Sequence, residues 1–414
     1  MNLHLNKAQW CWLLYDPGNA AFALLVRAVF APLFFMACSK DLLSESDATA
    51  QWGVVCSAAG VFAGICSLYT GALADACAKR KTALALLTAV GVTAVLGLTV
   101  VTQPGLILLL YFAALAAYMV SNSFYDSLLI SVASPEEFNW LSTFAYGFGY
   151  LGGLIPFLGV LAGAFFITDS FLTARTAFVV AAIWWAGFTM PLLLVVKENP
   201  VGKHQVRWYD GFRQLLQTLR DVWFDCNARL FLIAYFLYID GVSTILLMAT
   251  PISVEIGMSE QLLMATILGL QVIGFPATVF AGVLARKYGA RKIVYAALCL
   301  YIVTAALIGV LTLSESYQVK LMIFLTVALL IALAQGGIQS LSRALFGMLI
   351  PPEKAAEYFG VYNIFGKFTT ILGPVLIYIV AQIWHRSEYG IVLLIVPFAL
   401  GGILLSRVDF SGKK

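Results

Sequence analysis

Twelve apolar runs follow one another along this chain, at about 10–36, 50–74, 82–102, 104–131, 139–167, 174–197, 228–253, 260–284, 291–313, 317–347, 357–384 and 388–407. A bilayer core is crossed by a helix of about 20 apolar residues. Each run is long enough to span, and a chain built from twelve of them has few alternatives to a bundle of membrane helices. Only 11% of the 414 residues are charged and 61% are hydrophobic, whereas a soluble domain carries about a quarter charged residues. There is too little polar side chain to cover a water-facing surface. The expected fold is an all-α polytopic membrane protein. The start, "MNLHLNKAQW", carries one lysine, and the long apolar run behind it is interrupted by Asp16 without a small-residue cleavage pattern, so it does not read as a signal peptide.

Basic residues set the expected orientation. With the N-terminus inside, the inner segments hold Lys7, Lys79, Arg80, Lys81, the run from Lys197 to Arg229, Arg286, Lys287, Arg291, Lys292, Arg343, Lys354, Arg407, Lys413 and Lys414. The outer segments hold only Lys40, Arg175, Lys320 and Arg386. That asymmetry places both termini in the cytoplasm. Seven cysteines form no CxxC pair, which indicates neither a disulfide framework nor a metal site.

The two halves resemble each other. "GALADACAKRK" (71–81) aligns without gaps to "GVLARKYGARK" (282–292) at an offset of 211, and "SPEE" (134–137) aligns to "PPEK" (351–354) at an offset of 217. Both matches fall at equivalent inner loops, as in transporters built from two parallel repeats. Three parts are therefore expected: a six-helix bundle over 1–197, a cytoplasmic linker over 198–227, and a second six-helix bundle over 228–414. Within the linker Trp208, Phe212, Leu215, Leu216, Leu219, Val222 and Trp223 share one arc of a helical wheel, which predicts an amphipathic helix on the inner leaflet.

Charged and amide side chains inside the spans are the candidates for function. An ion at mid-bilayer costs about 2.5–3.5 kcal/mol on insertion scales, so such residues face a bundle interior or a wet cavity. In "WLLYDPGNAAFALLVRAVF", Asp16, Asn19, Ala23 and Arg27 follow at spacings of three, four and four, which puts them on one helix face. Asp16 and Arg27 lie about 16 Å apart along an α-helix and cannot pair with each other. Asp-Pro-Gly predicts a helix break where freed carbonyls line a cavity. The seventh span repeats the theme with Asp240, Gly241, Ser243 and Thr244, the fourth carries Asn122 and Asp126, the tenth carries Gln335, Gln339 and Arg343, and the eleventh carries Asn363 and Lys367. Under the 217 offset Asn122 aligns with Gln339 and Asp126 with Arg343.

Asp16 and Asp240 read as groups of a transport path. Arg27 reads either as a solute contact or as a side chain snorkelling to the outer interface. Asp126 and Arg343, about two turns from inner loops, read either as gate residues or as solute contacts. Lys367 is a counter-ion for an acidic group or a structural partner, and Asn122, Gln335 and Gln339 either line the path or hold helices together.

The loops at 71–81 and 282–292 resemble the inner-loop motif of the major facilitator superfamily, whose acid and bases latch two bundles together. The first copy keeps Gly71, Asp75, Arg80 and Lys81, with Ala76 and Ala78 in place of a base and a glycine. The second keeps Gly282, Lys287, Gly289, Arg291 and Lys292, with Arg286 in place of the acid. On that resemblance a latch rests mainly on Asp75. "WLLYDPGNAAFALL", "SPEEFNWLSTFAYGFGYLGG", "YFLYIDGVSTI", "GFPATVFAGVLA" and "QGGIQSLSRALFGMLIPPEKAAEYFGVYNIFGKFTTILGP" together resemble the vacuole-effluxer family, whose yeast prototype exports amino acids from the vacuole. The first block departs from that family's usual "YDWANSAF" at Pro17, Gly18 and Ala20.

The expected function is a secondary transporter of the major facilitator fold. It moves a small polar or zwitterionic solute by rocking of two bundles about a midplane site. Asp16 and Asp240 meet a cationic group and a coupled proton, and Arg27 or Lys367 meets a carboxylate. Burial favours the neutral form of a carboxyl group, which is the physical basis for proton coupling. Export of a larger amphipathic metabolite and a non-transporting receptor are the rival readings. The chain has no HExxH, P-loop or GxSxG, so no enzyme is expected. Nor is any cofactor, metal or nucleic acid. Expected partners are a small-molecule substrate, protons and membrane lipids, for a monomer in a bacterial inner membrane.

Overall fold

The computed structural model describes residues 5–77, 79–164, 166, 169–198, 217, 219–255, 258–311, 314–366 and 391–410. Among these, ten helices are long and apolar enough to cross a membrane, and Ile395–Ser406 adds a shorter apolar helix. They fall on the first ten expected spans and on the twelfth. Of the eleventh span only 355–366 is described, and it is helical. The third helix is shorter than expected: it runs Arg80–Gly97 and closes in a turn, with Leu98 N–H donating to the Ala94 and Val95 carbonyls. Of the linker only 217, 219–224 and its two ends are described, so most of its predicted amphipathic helix lies outside the described residues.

The first span, Lys7–Ser39, is built from four pieces. Helix α1 (Lys7–Leu13) opens with a reciprocal cap: Asn6 Oδ1 accepts from Gln9 N–H while Gln9 Oε1 accepts from Asn6 N–H, satisfying two of the donors a helix start leaves unpaired. Helix α2 (Tyr15–Ala21) follows, then a π-wound segment (Phe22–Phe30), then α3 (Ala31–Ser39). The predicted break at Asp-Pro-Gly is therefore displaced. Pro17 is the third residue of α2, in a first turn whose N–H groups have no intrahelical acceptor, so its ring is tolerated there. The interruption falls one step earlier, at Leu14, and the widened winding begins after Ala21.

Helices α4 (Glu45–Cys77), α5 (Arg80–Gly97), α6 (Pro104–Val132), α7 (Phe138–Ala164) and α8 (Ser170–Val195) complete the first six spans. Pro104 starts α6 and the Asp169 side chain caps α8, both ordinary start signals. Helices α9 (Cys226–Glu255), α10 (Glu260–Tyr288), α11 (Ala290–Leu311) and α12 (Tyr317–Leu349) carry spans seven to ten; α13 (355–366) and α14 (Ile395–Ser406) follow. Gly289, with φ of 92°, turns the chain from α10 into α11 in a conformation other residues adopt rarely.

The chain forms two compact units. One comprises Met1–Ser134, Phe148–Leu219 and Pro351–Asn363; the other comprises Pro135–Gly147, Arg220–Ile350 and Ile364–Lys414. Each unit is mainly one half of the sequence plus a short segment from the other half, and the two exchanged segments are equivalent under the 217 offset. Between membrane helices, packing rather than hydrophobic burial drives association, and the first unit does this with aromatic rings. Phe22 meets Tyr118 at 4.8 Å and Trp185 at 5.1 Å, and Phe34 meets Phe178 at 5.5 Å. Pro17 lies so close to α7 that a Cβ at Gly152 would overlap it.

Candidate functional site

In the first unit, the first span and α6 run antiparallel and join through paired polar side chains. Tyr125 Oη–H donates to Asp16 Oδ2 at 2.9 Å, Asn19 Nδ2 donates to Asn122 Oδ1 at 2.8 Å, and Tyr15 Oη–H donates to Ser121 Oγ at 3.0 Å. Trp12 Nε1 reaches the Tyr125 carbonyl at 3.0 Å, and the rings of Trp12 and Tyr15 stack on Tyr125. Asp16 is half-buried, while Asn19 is 8% exposed and its Oδ1 has no hydrogen-bond partner. Further along, Arg27 is exposed and makes no hydrogen bond or ion pair with the described residues. Of the face predicted to carry Asp16, Asn19 and Arg27, the first two are thus bonded to α6, whereas Arg27 is exposed.

On α6 the residue after Tyr125, Asp126, is 6% exposed and accepts from Asn363 Nδ2 at 3.0 Å. Asn363 belongs to the exchanged segment 351–363. The second unit holds the pseudo-symmetric counterpart. Tyr146, which aligns with Asn363, donates to Gln339 Oε1, and Arg343, 6% exposed, donates to Ser142 Oγ at 2.8 Å and to the Ser142 carbonyl at 3.0 Å. Ser142 passes the chain on to the Ser340 carbonyl at 2.7 Å. In both units, then, the polar stripe of the fourth span of one half is held by the start of the fifth span of the other. Tyr238 Oη and Ser342 Oγ, 2.6 Å apart, form a tyrosine–serine bond like that of Tyr15 and Ser121, with Ser342 aligned to Tyr125. Asp240 is 2% exposed, and Ser243, Gln335 and Gln339 are half-buried. Lys367 lies outside the described residues.

The repeated inner-loop motif is equally regular. The bare α-carbon of Gly71 faces the Ala356 carbonyl, and that of Gly282 faces Thr143, where an added Cβ would overlap Oγ1. Arg80 Nη2 donates to the Pro352 carbonyl at 2.9 Å and Lys81 Nζ to the Val196 carbonyl at 2.5 Å. Glu198, which the sequence did not single out, accepts from Arg80 N–H at 2.9 Å and Lys81 N–H at 2.6 Å, an anion on the N-terminus of α5. In the second copy Arg291 Nη1 donates to the Val408 carbonyl at 3.1 Å, and Arg286, standing where the first copy has Asp75, lies over the Trp140 ring at 5.9 Å. The backbone of Asp75 belongs to α4; its side chain is not among those described.

Tyr15, Tyr125, Tyr146, Ser142 and Glu198 are the site residues that spacing alone did not mark. The hydroxyls lie in apolar helices and carry no charge to flag them, although Tyr15 and Tyr125 each stand next to a flagged aspartate, and Glu198 lies beyond the sixth span, where a charge does not stand out.

Two halves with equivalent polar clasps, repeated motif glycines and ten or more membrane helices define a membrane transporter of the major facilitator type. Solved structures agree. The proton:xylose symporter XylE bound to 6-bromo-6-deoxy-D-glucose matches with a TM-score of 0.73 at 15% identity, over 97% of this chain and 95% of its own. The human organic anion transporter MFSD10 matches with a TM-score of 0.75 at 16% identity, over 96% and 99%. Those likenesses give the major facilitator fold. Residues 132–414 match the family described as "Vacuole effluxer Atg22 like". The MFS-type transporter YxiO of Bacillus subtilis, described as uncharacterized, is 31% identical over 99% of this chain and 96% of its own length. Autophagy-related protein 22-1 of Neosartorya fischeri is 24% identical over 66% of this chain and 48% of its own length. The chain belongs to the Atg22-like vacuole-effluxer family of MFS-type transporters; it is a transporter and not an enzyme.

Proposed function

We propose that this protein moves a small zwitterionic, amino-acid-like solute across a membrane by alternating access, with proton coupling through Asp16. The observation that carries the reading is the polar face of the first span. It joins a half-buried carboxylate at Asp16, an unpaired buried acceptor at Asn19 Oδ1 and, about two turns on, a cation at Arg27. Acceptors at one end and a cation at the other suit a solute bearing an ammonium and an acid group. Asp240, in the equivalent span of the second half, is the second acidic member of the path. Asn122, Ser243, Gln335, Gln339, Asn363 and Lys367 supply neutral and basic contacts. Arg80, Lys81, Asp126, Arg286, Arg291 and Arg343, with Asp75, act in the gating contacts. The protein works as a monomer in a bacterial inner membrane with both termini in the cytoplasm, as the distribution of lysine and arginine supports.

Counterflow in proteoliposomes loaded with an amino-acid mixture, with and without an imposed pH gradient, tests this. The wild type is expected to exchange amino acids and to accumulate them down a proton gradient. Asp16→Asn is expected to keep exchange and lose accumulation. Unchanged gradient dependence in Asp16→Asn removes that residue from coupling, and no exchange by the wild type removes the solute class.

A further inference from the structure

A charged side chain in the middle of a membrane helix needs a partner or water, and Arg27 has no hydrogen-bonded or ion-paired partner among the described residues. It sits inside Phe22–Phe30, nine residues wound as a π-helix, whose end is marked by Ala31 N–H donating to the Val26 carbonyl five residues back. Such winding is rare and concentrates at functional sites. Here it has a geometrical consequence. In a uniform α-helix at about 100° per residue, the eight steps from Asn19 to Arg27 would leave Arg27 about 80° away from the Asn19 direction. With three α steps and five π steps of about 82° each, the rotation comes to about 710°, within about 10° of two full turns. On this ideal geometry the π segment turns Arg27 toward the side of the helix that carries Asn19. Helical side chains also lean toward the N-terminus of their helix, which tips the guanidinium back toward Asn19 and Asp16.

We propose that Arg27 is the carboxylate-binding residue of the transport site, held in register with Asn19 and Asp16 by the π-wound segment. Its planar fork accepts a carboxylate through two parallel hydrogen bonds, leaving the ammonium end of the solute to Asn19 Oδ1. This rests on the zwitterion reading only in taking the carboxylate to be the solute's. A lipid phosphate offers similar chemistry from another source. Arg27 stands 20 residues from one end of the Lys7–Ser39 span and 12 from the other, which favours a solute.

The test labels the full-length wild-type protein in vesicles with an arginine-directed phenylglyoxal and reads modification of Arg27 by peptide mass spectrometry. Leucine, leucinamide and 4-methylpentanoate serve as probes with both charges, the ammonium only and the carboxylate only. Arg27 is expected to react, and leucine and 4-methylpentanoate are expected to slow its labelling about fivefold or more while leucinamide leaves it unchanged. Labelling that none of the three slows overturns the proposal. So does labelling slowed only when anionic lipid replaces phosphatidylcholine, which assigns Arg27 to the membrane. Counterflow of leucine by Arg27→Lys and Arg27→Gln separates this from the parent reading. Exchange by the wild type with the Arg27→Gln rate within twofold of it sinks the carboxylate role alone. Protection by 4-methylpentanoate without any amino-acid exchange sinks the zwitterion reading and leaves the anion site standing.

Discussion

Asn19 donates to Asn122 and keeps its own oxygen unpaired inside the first unit, so its structural and functional roles have different sizes. An interhelical hydrogen bond in a membrane protein contributes about 0.6 kcal/mol on average and about 1.7 at most. If Asn19 only tied two helices together, Asn19→Ala would lower the thermal midpoint of the detergent-purified protein slightly and transport in proportion. As a solute contact it does more: Asn19→Ala is expected to move the midpoint by no more than about 3 °C and to cut amino-acid exchange by tenfold or more. Parallel losses of stability and transport would return Asn19 to a structural role. The spacing of Asp16 and Asn19 made their common approach to a neighbouring helix legible in the sequence. What they face was not, because Tyr125 and Ser121 lie in an apolar run where a hydroxyl looks like any other core position until the helices are brought together.

The first span shows what an element adds to its residues. Proline and glycine at 17 and 18 suggest a break, yet both lie within α2, and the irregularities sit at Leu14 and at Phe22–Phe30, where no residue type announces them. A π segment contains no helix breaker. It arises from packing, and an α-periodic wheel drawn over residues 19–27 misplaces Arg27 by about a quarter turn. What Pro17 does instead is press against α7. A Cβ at Gly152 would overlap Pro17, whereas Gly159, two turns further along the same helix, has nothing within 4 Å of that position. Overpacking of this kind costs about 1–3 kcal/mol, while an alanine in an open helical site gains up to about 1 kcal/mol. Gly152→Ala is therefore expected to lower the thermal midpoint and Gly159→Ala to leave it unchanged or raise it. The reverse order would mean that α7 and α2 do not approach as described.

At the scale of the molecule the repeat was legible because it survives in short polar loops. Gly71 and Gly282, Arg80 and Arg291, and Asn363 and Tyr146 occupy equivalent places, and the glycines and the last pair meet equivalent elements, although Asn363 bonds Asp126 while Tyr146 bonds Gln339 one turn away in the equivalent helix, and Arg80 reaches Pro352 while Arg291 reaches Val408. The exchange of 135–147 and 351–363 between units was not legible, since no local pattern says which half of the sequence a loop will pack on. It has a consequence for assembly. Residues 1–197 and 198–414 expressed as separate chains are expected to co-purify, because each supplies a segment that the unit formed mainly by the other one buries. Arg343 joins the two chains of this arrangement through two hydrogen bonds to Ser142. Truncating one partner of a buried, hydrogen-bonded charge costs about 2–5 kcal/mol, or more than tenfold in association. Arg343→Met should therefore reduce co-purification of the split halves sharply, while Arg407→Met, at an exposed position, should not. Equal recovery of both variants would show that the clasp at Ser142 contributes nothing to holding the halves together, and would leave Arg343 free to serve the solute instead.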